Sequence, residues 1–266
     1  MKQEYLNFSF QQLMSIADKK KNDYINTSPF PHIELDNIFA DEILNSILLE
    51  FPKNIEKIGT QFNNKAEKKL TLNNSALFSK KTNDFINFLN SQLFLTFIQS
   101  ITSIEEKLIP DPYLIGGGLH ELKNGGHLNI HTDFNFHPSM KLDRRLNILI
   151  YFNKDWKEHY GGNLELWDTK MTKCIKKIIP TFNKTVIFST TDFSYHGNPQ
   201  VINCPINQSR KSLALYYYSN GRPHEENKLG SHSTIFKKRP RSNDVEDSIE
   251  YKKIFGKFYY RKKNKF

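Results

Sequence analysis

The period of the apolar residues changes at Pro112. Before it the spacing is helical; after it, short segments alternate with period two between Gly, Pro and Asn turns. The strand segments are Tyr113 to Leu122, Arg145 to Asn153, Asn163 to Trp167, Lys184 to Ser189 and Ser209 to Ser219. Upstream, Phe10, Leu13, Met14 and Ala17 share a helical face within 8–23, and Asp41 stands as the cap of a helix through Leu44, Ile47 and Leu48. A longer helix from Asn83 to Lys107 buries Phe85, Phe88, Leu89, Leu93 and Phe97, and Pro110 and Pro112 end it. Between the first two helices, 29–38 reads as a short strand after its prolines. Helices followed by a run of short strands predict an α+β protein with helices buttressing one face of a β-sandwich. In 143–153, Leu146, Ile148, Ile150 and Phe152 alternate with Asn147, Leu149 and Tyr151, so one face is apolar and Asn147 and Tyr151 share the other.

A chain of 266 residues suffices for one large β-rich domain. That domain is expected over 1–236, with a helical part at 1–112 and the strand-built core at 113–221, followed by a basic tail at 237–266. Two cysteines, Cys174 and Cys204, exclude a disulfide framework and a cysteine-rich zinc site. The opening Met1-Lys2-Gln3-Glu4-Tyr5 is not a signal peptide, and no apolar run approaches the ~18 residues of a bilayer span, so a cytoplasmic protein without a membrane partner is expected. The net charge of +10 gathers at Lys19-Lys20-Lys21 and in the tail, where Lys237 to Arg241 and Arg261 to Lys265, beside Tyr259 and Tyr260, form two clusters. Such a tail could hold nucleic acid; the bland and favoured reading is a solvated terminus. The sequence fixes no oligomeric state.

Chemistry concentrates in 125–219. His131 and Asp133 share a strand face, as two ligands to one metal require. A His-x-Asp pair alone is weak evidence, because so short a motif recurs by chance. His196, at the end of the apolar strand that contains Val186, Ile187 and Phe188, completes the two-His-one-carboxylate set that holds non-haem Fe(II) with open positions. Arg210 and Ser212 share a face of a later strand, and a guanidinium there suits a planar carboxylate. The remaining conspicuous residues read more plainly. His120 and His127 are structural or surface histidines, and His137 and His159 loop residues. Trp156 and Trp167 pack, while Asn135 and Phe136 follow the metal strand closely enough to face substrate. Gly116-Gly117-Gly118 is not a phosphate loop, because no Lys-Ser/Thr helix start follows.

In order and spacing, His131-x-Asp133, Arg145 to Asn153, Gly161 to Leu166, His196 and Arg210-x-Ser212 resemble the Fe(II)- and 2-oxoglutarate-dependent dioxygenases, in particular the prolyl-4-hydroxylase-like branch. The resemblance covers roughly 116–219. It implies a double-stranded β-helix (jelly-roll) core with His131, Asp133 and His196 as both iron ligands and catalytic residues. It also implies that Arg210, Tyr151 and Ser212, with Asn147 on the Tyr151 face, bind 2-oxoglutarate. The implied cofactors are Fe(II), 2-oxoglutarate and O2, with ascorbate as an accessory reductant. The implied reaction hydroxylates a C–H bond while 2-oxoglutarate loses CO2 to give succinate. A prolyl residue in a peptide or protein is the leading substrate; a free amino acid, a carbohydrate or another small metabolite is the alternative. A non-enzymatic, cupin-like nucleic-acid-binding module is the reading from another class. Two departures stand out: Leu122 occupies a place where many relatives carry Tyr, and the stretch from His196 to Arg210 is longer than in animal prolyl hydroxylases.

Overall fold

The computed structural model describes residues 4–247 and the backbone of 249–254 and 257–262. Five α-helices are described: α1 (Phe10–Asn26), α2 (Asp41–Leu49), α3 (Ile55–Ile58), α4 (Lys80–Leu89) and α5 (Gln92–Thr102). The strands are β1 (His32–Asp36), β2 (Thr60–Asn63), β3 (Glu67–Leu72), β4 (Ile109–Pro110), β5 (Gly118–Leu122), β6 (His127–Thr132), β7 (Phe136–His137) and β8 (Leu142–Tyr151). They continue with β9 (Leu164–Trp167), β10 (Cys174–Ile178), β11 (Lys184–Ser189), β12 (His196–Asn198), β13 (Arg210–Ser219) and β14 (Ile235–Phe236), and a separate hairpin pairs β15 (Ile249–Ile254) with β16 (Lys257–Lys262).

One antiparallel sheet runs β1-β11-β8-β13-β5-β3-β6-β12-β9-β10 and curls into a jelly roll, with the helices on its outer face. The alternation in β8 decides which side is which. Leu146, Ile148, Ile150 and Phe152 join Leu13, Ala17, Phe94, Phe97 and Ile101 of α1 and α5 in the main core. Tyr151 faces the roll's interior, with Leu164, Leu166, Val186 and Phe188.

Several helix ends differ from the expectation, each for a local reason. The single helix expected over 83–107 is two, because Asn90 closes α4 while the Ser91 hydroxyl accepts from the Phe94 N–H and starts α5. The second ends at Ser103, in the left-handed region, well before the prolines. Asp41 is not a cap. Ala40 occupies that position, and the Asp41 carboxylate instead accepts from Asn183 Nδ2 at 2.6 Å. Helix α1 has the fuller start, in which Ser9 and Gln12 form a reciprocal capping box.

The first 112 residues are not only helical. Strand β1 extends the sheet beside β11, and the β2–β3 hairpin inserts β3 between β5 and β6. This insertion explains part of the Gly116–Gly118 run. Gly118 has φ +91, and a Cβ there would lie 2.2 Å from the Leu72 carbonyl oxygen, so only glycine lets β3 approach β5.

Packing also continues past residue 236. The Lys237 N–H donates to the Ile130 carbonyl, and Asp247 accepts from the Phe236 N–H, which closes β14 against β6. In the first basic cluster, Arg239 is paired with Asp244 at 2.6 Å; the cluster Arg261 to Lys265, with Tyr259 and Tyr260, lies outside the residues whose side chains are described. Among the described residues, no helix is long and apolar enough to cross a membrane.

Phe94 is fully buried between Phe39, Phe88 and Phe97, so Phe94→Ala is expected to lower the unfolding free energy by about 3–5 kcal/mol. Ile206→Ala, on a side chain 95% exposed, should stay within about 0.5 kcal/mol. Urea titrations of the two variants measure the difference.

Candidate metal centre

Strands β6 and β12 pair with His131 directly opposite His196, and their ring centroids lie 4.5 Å apart. Each ring is oriented by its own backbone. His131 Nδ1 donates to the Asn129 carbonyl at 2.8 Å and His196 Nδ1 donates to the Ser194 carbonyl at 2.9 Å. A carbonyl only accepts, so Nδ1 carries the proton in both rings and both Nε2 lone pairs are free. Those nitrogens converge on Asp133, at 3.5 Å from Oδ1 for His131 and 3.4 Å from Oδ2 for His196. The three residues are buried, and their donor atoms lie within 4.8 Å of one another, a geometry able to hold a metal ion.

The electrostatics favour a neutral His131 and an ionised carboxylate. Burial lowers the His131 pKa, helped by His196 nearby. Burial alone would raise that of Asp133, but the Arg144 guanidinium beside it holds it well below the usual carboxylate range. Asp133 Oδ2 accepts from Arg144 Nη2 and from Asn147 Nδ2, each at 2.9 Å. Asn147 therefore sits on the metal-site carboxylate, and Arg144, absent from the residues singled out in the sequence, is its ionic partner.

Deeper in the roll lies a second cluster. Arg210 on β13 is buried; its Nε donates to the Gly162 carbonyl at 2.7 Å and its Nη2 to the Tyr151 hydroxyl at 3.2 Å. Among the described residues no carboxylate lies within ion-pair distance of it. Burial pulls its pKa down, and Tyr151 is the one group that offsets this. Ser212 stands opposite Tyr151 in the β13–β8 register, so Arg210, Ser212 and Tyr151 share the interior face. Asn147 and Tyr151 are four residues apart on β8, about 13 Å, and so serve the two clusters separately.

A groove of about 830 Å³ opens from His131 and Asp133 to the surface, walled by Phe62 and Lys69 of the β2–β3 hairpin and by Phe134, Tyr216 and Phe236. Neither Leu122 nor Asn135, the latter expected to face substrate, is among the groove's lining residues. Leu122 packs with Trp156, Ile202 and Cys204 behind Arg210. Asn135, fully buried, spends its side chain on the 227–232 segment: Nδ2 donates to the Gly230 carbonyl at 2.8 Å and Oδ1 accepts from the His232 N–H at 2.9 Å. Asp192 holds the same segment, accepting from the Leu229 N–H at 2.7 Å and pairing with His232 Nε2 at 3.0 Å. Phe136 does line the groove.

The other conspicuous residues are structural. Trp156 and Trp167 are buried and donate to the Gly161 carbonyl and to Glu165. His137 is not a loop residue: it lies on β7, fully buried, 3.5 Å from Asp111. Burial, Lys69 and Arg210 push His120 down to about 3, which keeps it neutral. His159 is in a surface turn, and burial lifts the Cys174 thiol to about 11, far from reactivity.

Removing Asp133 leaves Arg144 buried and uncompensated, so metal-free Asp133→Ala is expected to be about 3–5 kcal/mol less stable than the metal-free wild type by denaturant titration. Because the folded pKa is depressed, this advantage is full above the unfolded value of about 3.9 and disappears only as pH falls through the lower folded one. Equal stabilities at neutral pH would contradict the ion pair's role. For Asn135→Ala, amide exchange across 221–234 should quicken about tenfold or more while the outer core keeps its protection; unchanged exchange would show that Asn135 does not pin the segment.

Comparison with known proteins agrees with this geometry. Residues 117–218 match the family model of the 2OG-Fe(II) oxygenase superfamily. The chain is 30% identical over 79 residues to the mouse (Mus musculus) prolyl 3-hydroxylase OGFOD1; the match covers 28% of this chain and only 14% of the mouse protein. A Pseudomonas putida prolyl-4-hydroxylase superposes with a TM-score of 0.56 at 14% identity, over 77% of this chain and all (100%) of that one. A Trichoplax adhaerens prolyl hydroxylase, solved with a hypoxia inducible factor oxygen degradation domain peptide fragment, gives 0.56 at 17% identity, over 84% and 96%. At these identities the two structures establish the jelly-roll fold, and the match to the 2OG-Fe(II) oxygenase superfamily model lies across its core, from residue 117 to 218.

Proposed function

We propose that this protein is an Fe(II)- and 2-oxoglutarate-dependent dioxygenase that hydroxylates a C–H bond, with a prolyl residue of a peptide or protein as substrate. The observation that carries the reading is Arg210, a buried guanidinium with no carboxylate partner among the described residues, on the same interior as a convergent His131–Asp133–His196 set. An unpaired buried cation is costly, and a dicarboxylate supplies the missing charge. The donor set fits Fe(II), with two neutral imidazoles and one carboxylate. When bound, that ion supplies the O2 chemistry that 2-oxoglutarate decarboxylation to succinate and CO2 drives, with ascorbate an accessory reductant.

The chain's own residues do the rest. Arg210 and the Tyr151 hydroxyl hold the far carboxylate of the cosubstrate, and Ser212 adds a polar contact beside them. Val186, Phe188 and Leu166 exclude water from the interior. Asn129 and Ser194 fix the two imidazoles through Nδ1.

The names of the mouse, Pseudomonas and Trichoplax proteins support a prolyl substrate. So does the groove, which is open and aromatic-walled, as polyproline-like segments require.

Anaerobic Fe(II) and 2-oxoglutarate should produce a visible charge-transfer band in the wild type. Arg210→Ala should weaken 2-oxoglutarate binding about 30-fold or more, and Tyr151→Phe about 2- to 10-fold, read from the band's titration. No band in the wild type, or an undiminished one after Asp133→Ala and His196→Ala together, sinks the assignment. Proline-containing peptides that never gain one oxygen, in a protein that shows the band, would redirect the substrate to a small metabolite.

A further inference from the structure

Arg144 should not face the metal site at all. A regular strand would place it on the outer face with Leu146 and Ile148, opposite Asn147. The β8–β13 register shows why it does. Leu146 lies opposite Tyr217, yet Arg144 lies opposite Tyr218, so Arg145 is an extra residue and the ladder bulges there. The bulge turns Arg144 inward, onto the face of Asn147 and Tyr216, and sends Arg145 out to Glu106 at 2.5 Å.

Once inside, Arg144 is locked. It is fully buried, with its guanidinium 3.3 Å from the Tyr216 ring centroid and 4.4 Å from that of Phe134. Its Nη2 meets Asp133 Oδ2, the same oxygen that accepts from Asn147 Nδ2. A carboxylate oxygen has two in-plane lone-pair directions, and both on Oδ2 are taken. Oδ1 faces only the unprotonated Nε2 of His131.

We infer that Arg144 and Asn147 are positioning residues that restrict Asp133 to one open oxygen, Oδ1, so that a metal ion held there keeps a coordination position that a chelating carboxylate would occupy. The inference rests on the metal-site reading above. It names what each residue does: the Asn147 amide and the Arg144 guanidinium together block Oδ2, and the bulge at Arg145 is the backbone device that brings them to one carboxylate.

The test uses Mn(II) as the probe in the full chain and counts exchangeable bound waters from line broadening in oxygen-17 water by electron paramagnetic resonance. An octahedral ion with three single-atom protein ligands holds about three waters. The wild type should show this count, and the Arg144→Met, Asn147→Leu double variant about one fewer, because Oδ2 is released to chelate. Arg144→Lys with Asn147 kept retains two donors to Oδ2 and should keep the wild-type count, which separates the loss of donors from repacking around residue 144. Should the double variant fail to fold, Asn147→Leu alone decides, since it frees one lone pair and leaves the ion pair intact. A wild-type count in the folded, Mn(II)-loaded double variant, or in Asn147→Leu where it stands in for it, overturns the inference. A wild type that binds no Mn(II), or binds it equally well after His196→Ala, overturns the metal-site reading and this inference with it.

Discussion

The pairing of β6 with β12, His131 opposite His196, is the constraint from which the rest of the centre follows. Two imidazoles 4.5 Å apart between centroids would repel if both were charged. Burial lowers the His131 pKa, and the Asn129 and Ser194 carbonyls aim both Nε2 atoms at one point. Asp133, at the end of the same strand, then needs a counter-charge that does not come from the histidines, and Arg144 supplies it. The register thus gathers two imidazoles around one buried carboxylate, and that carboxylate in turn needs a buried cation.

That cation explains why the site is preassembled. A metal site built from acidic and neutral ligands alone is strained by its own negative charge until the ion arrives. Here the carboxylate is already neutralised by a guanidinium that is itself held between two rings. The Arg210 cluster has the opposite character, a positive charge with no carboxylate partner among the described residues, so the roll contains one ion-paired and one unpaired cation on a single interior. The first organises the protein; the second calls for a ligand.

Much of this was legible in the sequence because it obeys period two. The alternation in β8 and the shared faces of His131 with Asp133 and of Arg210 with Ser212 need nothing beyond a strand, and the five proposed strand segments all contain strands. What escaped breaks that period or depends on partners remote in the chain. Arg144 is inverted by a bulge that shows only in its pairing with β13. Asn147 was placed correctly on the Tyr151 face, but the 13 Å or so between them, which assigns it to Asp133, becomes decisive only when β6 is set beside it. Asn135 follows the ligands closely enough to suggest a place facing substrate, whereas its partners arrive from 57 to 97 residues downstream. The β2–β3 hairpin is polar and half-exposed, so its strands have no apolar alternation to reveal them.

The hairpin's position gives the architecture a division of labour. Among the described residues, those that hydrogen-bond the metal-site side chains belong to β6, β8 or the segment before β12. The wall built by Phe62 and Lys69 belongs to a hairpin that supplies no residue to the His131–Asp133–His196 set. Substitutions along that wall reshape what enters the groove and leave the centre's electrostatics alone. The fold therefore offers a natural route to new selectivity: the chemistry is inherited from the roll, and the preference for one target over another can drift in a single polar hairpin.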